Sequence, residues 1–174
     1  SGSGKSTIAK EYQEKIPGSV IISSDEIREE LCDGDRANQS KNGEVFRVFH
    51  DRIRKNLEKH KSVIADATNI TLKSRRAILD KVKGFDVNKI CLIVPKTYEQ
   101  CLVDNKQREW PVPDEVIEHQ RSRFQIPFME ENWTEIRIVG GFEDRPYKFD
   151  EMMKGYDQKS PYHAFTLDEH CQLS

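Results

Sequence analysis

The sequence predicts an α/β fold in which a parallel sheet lies between two layers of helices. Four short apolar runs rich in β-branched residues are separated by longer segments with helical spacing, and such runs suit strands buried on both faces of a parallel sheet. The chain also opens with the glycine-rich stretch SGSGKST directly before an apolar helix, which is typical of a loop that binds phosphate. Strands and helices that alternate in this way connect through right-handed crossovers and form a three-layer sandwich.

The predicted strands and helices follow from the spacing of apolar residues. Strands are predicted at residues 19–24, 62–68, 89–94 and 135–140. Helices are predicted at residues 6–15, 25–32, 43–60, 72–82, 98–108 and 114–124. The third helix has a single apolar stripe with spacings of three and four, formed by Val45, Phe46, Phe49, Ile53 and Leu57. We expect one domain over residues 1–141, followed by a tail at 142–174.

Length and composition limit the class of protein. The 174 residues suffice for one compact domain with a full core. The net charge of −2 gives no overall basic field for nucleic acid, although a local basic groove is compatible with it. No apolar run has the length of a membrane span, so we expect no membrane partner. The cysteines show no paired spacing and are expected to be reduced in a cytoplasmic protein; they are Cys32, Cys91, Cys101 and Cys171.

The stretch Ser1 to Thr7 predicts an ATP site. Gly2 and Gly4 allow a tight turn whose N–H groups face one anion, Lys5 reaches the outer phosphates, and the Ser6 hydroxyl can ligate Mg²⁺. Ser1, Ser3 and Thr7 complete the predicted phosphate-binding loop. A flexible Gly/Ser linker is the alternative, but the apolar helix that follows argues against it. The strand expected before such a loop is absent from the sequence as written.

Asp25 and Arg28 are candidate acceptor-side residues. The run at 19–24 continues into SSDEIR, and the carboxyl ends of parallel strands meet at the ligand crevice. Asp25 can therefore accept a proton from an attacking hydroxyl. Arg28, one helical turn later, can hold an anionic group of the substrate. The alternative is that Ser24 or Asp25 only caps the helix.

The next strand ends in ADATN and adds a second carboxylate to the same edge. Asp66 is expected to hold a water on Mg²⁺ or to orient the acceptor, with Asn69 beside it. A turn built by Asp and Asn before the following helix is the alternative. Arg75 and Arg76 on that helix are candidates for the acceptor side, although helical arginines are often solvated.

These ordered motifs resemble the 5′-polynucleotide kinase family of P-loop phosphotransferases. The resemblance rests on SGSGKST, SSDEIR, VIADATN with its Arg-bearing helix, and the block QREWPVPDEVIEHQRSRFQIPFMEENWTEI, and it runs from Ser1 to about Val139. It implies a P-loop NTPase sandwich with a helical lid. It also implies that Lys5 and Ser6 bind phosphate and metal, and that Asp25 is the general base. Arg28 would hold the 3′-phosphate of the acceptor.

The resemblance further assigns Arg108 to the lid, where it would stabilise the transferring phosphoryl group, and Asp66 to the acceptor side. One departure is visible. The family lid usually carries two arginines one helical turn apart, and the position four residues before Arg108 is Asp104. Arg121 or Arg123 on the next helix are candidates to replace the second arginine.

The tail contains SPYHAFTLDEHCQLS, residues 160–174. This stretch resembles the entry to an HD-type phosphohydrolase domain, in which His170 would be the first metal ligand. One or two histidines do not make a metal site, and a surface tail with solvated histidines is the alternative. The resemblance implies that residues 142–174 begin a second, HD-like domain.

The motifs thus predict an ATP- and Mg²⁺-dependent kinase, and the resemblance implies that it acts on the 5′-hydroxyl end of RNA or DNA, as in nucleic-acid repair. A small-molecule kinase on the same scaffold, acting on a sugar, nucleoside or antibiotic, is the first alternative, since nothing in the sequence decides the size of the acceptor. A nucleotide-hydrolysing switch is the second. The sequence does not predict the oligomeric state.

Overall fold

A computed structural model describes residues 2–36 and 38–139 of the chain. The helices are α1 (Lys5–Lys15), α2 (Ser24–Leu31), α3 (Asn42–Glu58), α4 (Leu72–Val82), α5 (Tyr98–Lys106) and α6 (Asp114–Ser122). The strands are β1 (Val20–Ser23), β2 (Val63–Asp66), β3 (Ile90–Ile93) and β4 (Glu135–Ile138). All ten predicted elements are confirmed, and each end lies within two residues of its predicted position. A short 3₁₀ turn at Met129–Glu131 was not predicted.

Strands β1 and β2 form a parallel pair. Val20 pairs with Val63 and Ser23 pairs with Asp66, so the carboxyl ends of both strands lie at the same edge. Helix α2 begins directly after β1, and the loop that leads to α4 begins directly after β2. The first residues after each strand are therefore brought to one place, as expected for the ligand-binding edge of a parallel sheet.

Strands β3 and β4 form a second pair. The Thr134 N–H donates to the Lys89 carbonyl at 2.7 Å, and the Val139 N–H donates to the Ile93 carbonyl at 2.9 Å. These contacts advance in the same direction along both strands, so the pair is parallel. Ile90 and Ile138 remain about two-fifths exposed. The prediction that every apolar run is buried on both faces is therefore wrong for this pair, in which β3 begins with an exposed residue and most of β4 is exposed.

The described chain divides into two compact units. One contains residues 4–91 and 125–137, and the other contains residues 2–3, 92–124 and 138–139. The first unit holds α1 to α4 with β1 and β2, and the second holds α5 and α6. The predicted domain boundary at residue 141 and the tail at 142–174, with its HD-like motif and His170, lie outside the described residues.

The core of the first unit is built on the apolar stripe of α3. Val45, Phe49 and Ile53 are almost fully buried, and they pack in one cluster with Ile22 of β1 and Ile27 of α2. Phe46 and Leu57 complete the predicted stripe at the margin of this cluster. Burying this stripe against β1 and α2 places the start of α2 next to the sheet edge.

The second unit contains the helical pair in which a lid was predicted. Asn105 of α5 is 1% exposed. Its side-chain amide makes two hydrogen bonds to the backbone of Val112: it donates to the carbonyl at 2.7 Å and accepts from the N–H at 3.1 Å. Arg121 of α6 lies over the ring of Tyr98 of α5, 4.8 Å from its centroid. The turn WPVP is thus held by a buried amide and by the packing of two helices.

The described cysteines are free thiols, as expected for reduced cysteines. Burial raises the pKa of Cys91 to about 11, and burial also raises the pKa of Cys101. Both thiols therefore stay protonated at neutral pH and have little nucleophilic character. Cys171 lies outside the described residues. Within residues 2–36 and 38–139, none of the helices combines the length and apolarity required to cross a bilayer.

Replacement of Phe49, the aromatic residue at the centre of the core, should strongly lower the stability of the first unit. We expect Phe49→Ala to lower the free energy of unfolding by about 3–5 kcal/mol, because it removes a buried ring and leaves a cavity. Phe128→Ala is the matched control, since Phe128 is half exposed, and it should cost less than about 1 kcal/mol. Urea unfolding followed by circular dichroism measures both values. Equal losses for the two variants would contradict the assignment of the core.

Candidate functional site

The glycine-rich loop has the backbone that its sequence predicts. Gly2 and Gly4 have φ values of 73° and 84°, in the left-handed region that favours glycine. A Cβ on Gly2 would lie 2.3 Å from the carbonyl oxygen of Cys101, so the position has no room for a side chain. Helix α1 starts at Lys5, directly after Gly4. Ser3 is partly buried, Thr7 is exposed in the first turn, and Ser1 lies outside the described residues.

Lys5, Ser6 and Asp66 meet at the carboxyl end of β2. The Lys5 Nζ lies 3.3 Å from Asp66 Oδ1, and the Ser6 hydroxyl donates to Asp66 Oδ2 at 2.7 Å. The Asp66 side chain is only 4% exposed. Its Oδ1 accepts no hydrogen bond from the described residues, although the ammonium of Lys5 is close. Asp66 therefore faces the phosphate-binding loop, and the cap of α4 is supplied instead by Thr71, whose hydroxyl accepts from the Ser74 N–H.

Asp25 joins the same cluster from the start of α2. Its Oδ2 lies 4.0 Å from the Lys5 Nζ, and its Oδ1 accepts from Arg28 Nη1 at 3.0 Å. The N-cap of α2 is Ser23, whose hydroxyl accepts from the Glu26 N–H. The alternative in which Ser24 or Asp25 only caps the helix is therefore wrong, because Ser23 fills that position. A third of the Asp25 side chain remains exposed.

Arg28 is buried beside Asp25. The residue is 6% exposed, and its Nη2 donates to Asn42 Oδ1 at 2.9 Å while Nη1 donates to Asp25. Its Nε is buried and has no hydrogen-bond partner among the described residues. Asn42, at the first position of α3, had no visible role in the sequence. The guanidinium thus holds Asp25 through Oδ1, while the Lys5 ammonium lies nearest to Oδ2.

Arg75 lies in an environment different from the one predicted for it. It is 2% exposed, and its Nε and Nη2 donate to the two carboxylate oxygens of Glu131, both at 2.8 Å. Its Nη1 donates to the carbonyls of Asn69 and Gln125. Because the guanidinium is buried and surrounded by these acceptors, Arg75 joins parts of the fold and is not exposed on the surface where the acceptor side was expected. Its neighbour Arg76 is exposed.

Glu131 was not recognised as important from the sequence. Burial opposes its ionisation, but hydrogen bonds from Arg75, the Trp133 indole and the Phe128 N–H outweigh burial, and the pKa of Glu131 lies below its ordinary value. The ion pair ties α4 to the segment 125–133. Arg75 Nη1 also donates to the carbonyl of Asn69, so the same side chain holds the loop that follows Asp66. Asn69 itself is partly buried.

The predicted lid residues belong to the second unit. Arg108 is partly buried, and its N–H donates to the Asn105 carbonyl at the end of α5. Asp104, which stands where the second lid arginine was expected, accepts hydrogen bonds from Lys96 and Gln100. These two donors hold the pKa of Asp104 below its ordinary value. Arg121 is stacked on Tyr98, and Arg123 lies beside His119.

The structure combines a glycine-rich loop at the start of a helix with two carboxylates at one edge of a parallel strand pair, Asp66 at the end of β2 and Asp25 in the helix that follows β1. This combination defines the class of P-loop nucleotide-binding proteins. The chain belongs to the AAA domain family, whose sequence profile matches residues 1–127. Its fold is that of P-loop kinases. This match covers the loop, both carboxylates, Arg28 and the helical pair α5–α6.

Two curated relatives give the match more detail. The chain is 27% identical over 135 residues to the L-seryl-tRNA(Sec) kinase of Methanococcus maripaludis, covering 75% of this chain and 51% of that protein. It is 31% identical over 88 residues to the bifunctional polynucleotide phosphatase/kinase of Schizosaccharomyces pombe, covering 48% of this chain and 22% of that protein. The chain thus spans about half or less of the length of these relatives.

The adjacent arginines of α4 provide a test of the buried ion pair. We expect Arg75→Leu to lower the free energy of unfolding by about 3–5 kcal/mol, because it leaves Glu131 buried without its partner. Arg76→Leu, the exposed control, should change it by about 0.5 kcal/mol or less. Denaturant unfolding at neutral pH measures both, and equal stability of the two variants would contradict the structural role of Arg75.

The same ion pair predicts a pH dependence. Because the pKa of Glu131 is lowered in the folded protein, its contribution to stability is complete above the ordinary carboxyl pKa and is lost as the pH falls through the folded value. The difference in unfolding free energy between the unmodified protein and Glu131→Gln should therefore shrink as the pH is lowered from 7 towards 3. A constant difference over this range would show that Glu131 is not ionised in the fold.

Proposed function

We propose that this chain transfers the γ-phosphate of ATP to the 5′-hydroxyl end of a polynucleotide. The observation that supports this most strongly is the meeting of a phosphate-loop lysine with two carboxylates and an arginine from neighbouring strand ends. Phosphoryl transfer requires cations around the migrating group and an oriented acceptor, and little covalent chemistry from the protein. Lys5, Asp25, Arg28 and Asp66 lie in contact within one unit of the fold and would provide these components.

The ATP side of the proposal rests on Lys5 and the loop. The N–H groups of a glycine-rich loop and of the first turn of α1 bind phosphate oxygens, and the dipole of α1 favours the negative charge. The Lys5 ammonium would contact the outer phosphates, where it stabilises the charge of the transferring group. Ser1, Ser3 and Thr7 are proposed members of this loop.

The site fits Mg²⁺ as the metal that accompanies ATP. Mg²⁺ prefers hard oxygen ligands and usually takes one or two from the protein, with phosphates and waters as the rest. The Ser6 hydroxyl and the Asp66 carboxylate are such ligands, and Asp66 Oδ1 is a buried oxygen that accepts no hydrogen bond within the described chain. Ser6 and Asp66 would hold the ion directly or through water, and the ion would neutralise phosphate charge.

Asp25 is the proposed general base. It would accept the proton of the attacking hydroxyl as the oxygen reaches the γ-phosphorus. Its position between Lys5 and Arg28 fixes the carboxylate without covering it, since a third of the side chain stays exposed. Arg28 orients Asp25 and, by the family resemblance, would contact the acceptor phosphate. Arg108 is the proposed lid cation that neutralises the transferring phosphoryl group.

The nature of the acceptor rests on the relatives. One is a polynucleotide phosphatase/kinase and the other is an L-seryl-tRNA(Sec) kinase. Both names describe an acceptor that is a nucleic acid or is attached to one, which favours a polymer over a small molecule. A seryl group attached to tRNA is therefore the second candidate acceptor. Of the three arginines predicted on the acceptor side, Arg28 and Arg75 are buried and Arg76 is exposed.

Transfer of label from ATP would separate these acceptors. The protein is incubated with γ-labelled ATP and Mg²⁺ together with a 5′-hydroxyl oligoribonucleotide, a 5′-hydroxyl oligodeoxyribonucleotide, seryl-tRNA or a panel of sugars and nucleosides. We expect label on one or both oligonucleotides, and none on oligonucleotides that already carry a 5′-phosphate. Label on seryl-tRNA alone would replace the proposed acceptor with the second candidate, and label on small alcohols alone would reject both.

Replacement of Asp25 tests the mechanism. Asp25→Asn should lower the rate of phosphoryl transfer by about 10²-fold or more, because it removes the general base, while ATP binding is retained. Glu26→Gln is the matched control, since Glu26 is the adjacent, exposed carboxylate on α2, and it should stay within about twofold. Single-turnover kinetics with saturating ATP measure the rates. Unchanged turnover in Asp25→Asn would remove Asp25 from the mechanism.

A further inference from the structure

Helix α5 contacts the backbone of the glycine-rich loop at Gly2. A Cβ at position 2 would lie 2.3 Å from the Cys101 carbonyl oxygen. The backbone of Gly2 therefore packs directly against α5. From the segment before α5, the Lys96 Nζ donates to the Gly2 carbonyl at 3.3 Å. Gly2, Lys96 and Cys101 all belong to the second unit.

Asp104 holds the ammonium of Lys96 in this position. Its Oδ2 accepts from Lys96, and its Oδ1 accepts from the Gln100 amide at 2.7 Å. Lys96 and Asp104 are each about one-quarter exposed. Asp104 stands where the second lid arginine was expected. It binds Lys96, the lysine that contacts the loop.

A cation on the Gly2 carbonyl determines the orientation of the next N–H. A trans peptide is planar, so its C=O and N–H point in opposite directions, and the described chain contains no cis peptide. Fixing the Gly2 carbonyl on Lys96 therefore turns the Ser3 N–H away from Lys96 and holds it there. A charged donor on the carbonyl also polarises the peptide, which strengthens its N–H as a donor.

We propose that Lys96, anchored by Asp104, is a positioning residue that presents the Ser3 N–H to a phosphate of the nucleotide. Lys96 acts through the backbone and needs no contact with ATP itself. The inference rests on the proposed use of ATP, but it is independent of the acceptor. It also gives Asp104 a function in place of the missing second lid arginine.

Nucleotide binding to the full chain tests this proposal. Affinities for ATP with Mg²⁺ and for adenosine are measured by calorimetry on the unmodified protein, Lys96→Met, Lys96→Arg and Asp104→Asn. Lys106→Met is the control, because Lys106 is an exposed lysine at the end of α5, the helix that carries Asp104. Lys96→Met should weaken ATP binding by about tenfold, the size of one hydrogen bond to a charged group, and should leave adenosine binding unchanged.

The other variants separate positioning from folding. Lys96→Arg should restore ATP affinity to within about threefold, since it keeps a cation near the carbonyl, whereas Asp104→Asn should reproduce part of the loss. The apparent KM for ATP should rise in Lys96→Met with kcat changed by less than about threefold at saturation. Equal ATP affinity in Lys96→Met and Lys106→Met, or a parallel loss of adenosine binding, would overturn the proposal.

These outcomes are distinct from failure of the proposed function. Unmodified protein that binds ATP but labels no polynucleotide would reject the acceptor and leave the role of Lys96 standing. Unmodified protein that binds adenosine and ATP equally would show that the loop does not bind phosphate, and would overturn the role of Lys96 as well.

Discussion

The ion pair between Lys5 and Asp66 is the interaction on which the site depends. A carboxylate as buried as Asp66 costs several kcal/mol unless a charge and hydrogen bonds compensate it. Lys5 at 3.3 Å and the Ser6 hydroxyl at 2.7 Å supply that compensation. The same contacts join the first turn of α1 to the end of β2, so the loop that precedes α1 is held at the carboxyl edge of the strand pair.

The register of β1 and β2 then determines what else reaches this edge. Because Ser23 pairs with Asp66, the start of α2 lies beside the end of β2, and Asp25 comes within 4.0 Å of Lys5. The apolar face of α3 packs against α2 and β1, while Asn42 at its start binds Arg28. Core packing thus holds α2, and Arg28 holds the carboxylate that α2 carries. Asp66 is paired with Lys5 and Asp25 with Arg28, and these pairs limit the electrostatic cost of placing two carboxylates together.

Much of this arrangement follows from local sequence, and some of it does not. The tight turn of the loop was predictable from Gly2 and Gly4, the meeting of Asp25 and Asp66 because parallel strands direct their carboxyl ends to one edge, and the contact of Arg28 with Asp25 because residues three apart share a helix face. Arg75 was assigned to the substrate because adjacent arginines on a helix give no indication of which one is buried. Its partner Glu131 lies 56 residues away in a short 3₁₀ turn, and a single sequence does not report such a pair. The same holds for Lys96 and Gly2, which are joined through a backbone carbonyl and not through side-chain chemistry.

A crystal structure of the protein with Mg²⁺ and a non-hydrolysable ATP analogue tests the central claim most directly. The account predicts the γ-phosphate within hydrogen-bonding distance of the Lys5 ammonium, the metal beside the Ser6 hydroxyl, and the Asp25 carboxylate facing the open side of the γ-phosphate. A triphosphate bound away from the loop of residues 2–6, or an Asp25 side chain directed away from the γ-phosphate, would contradict it.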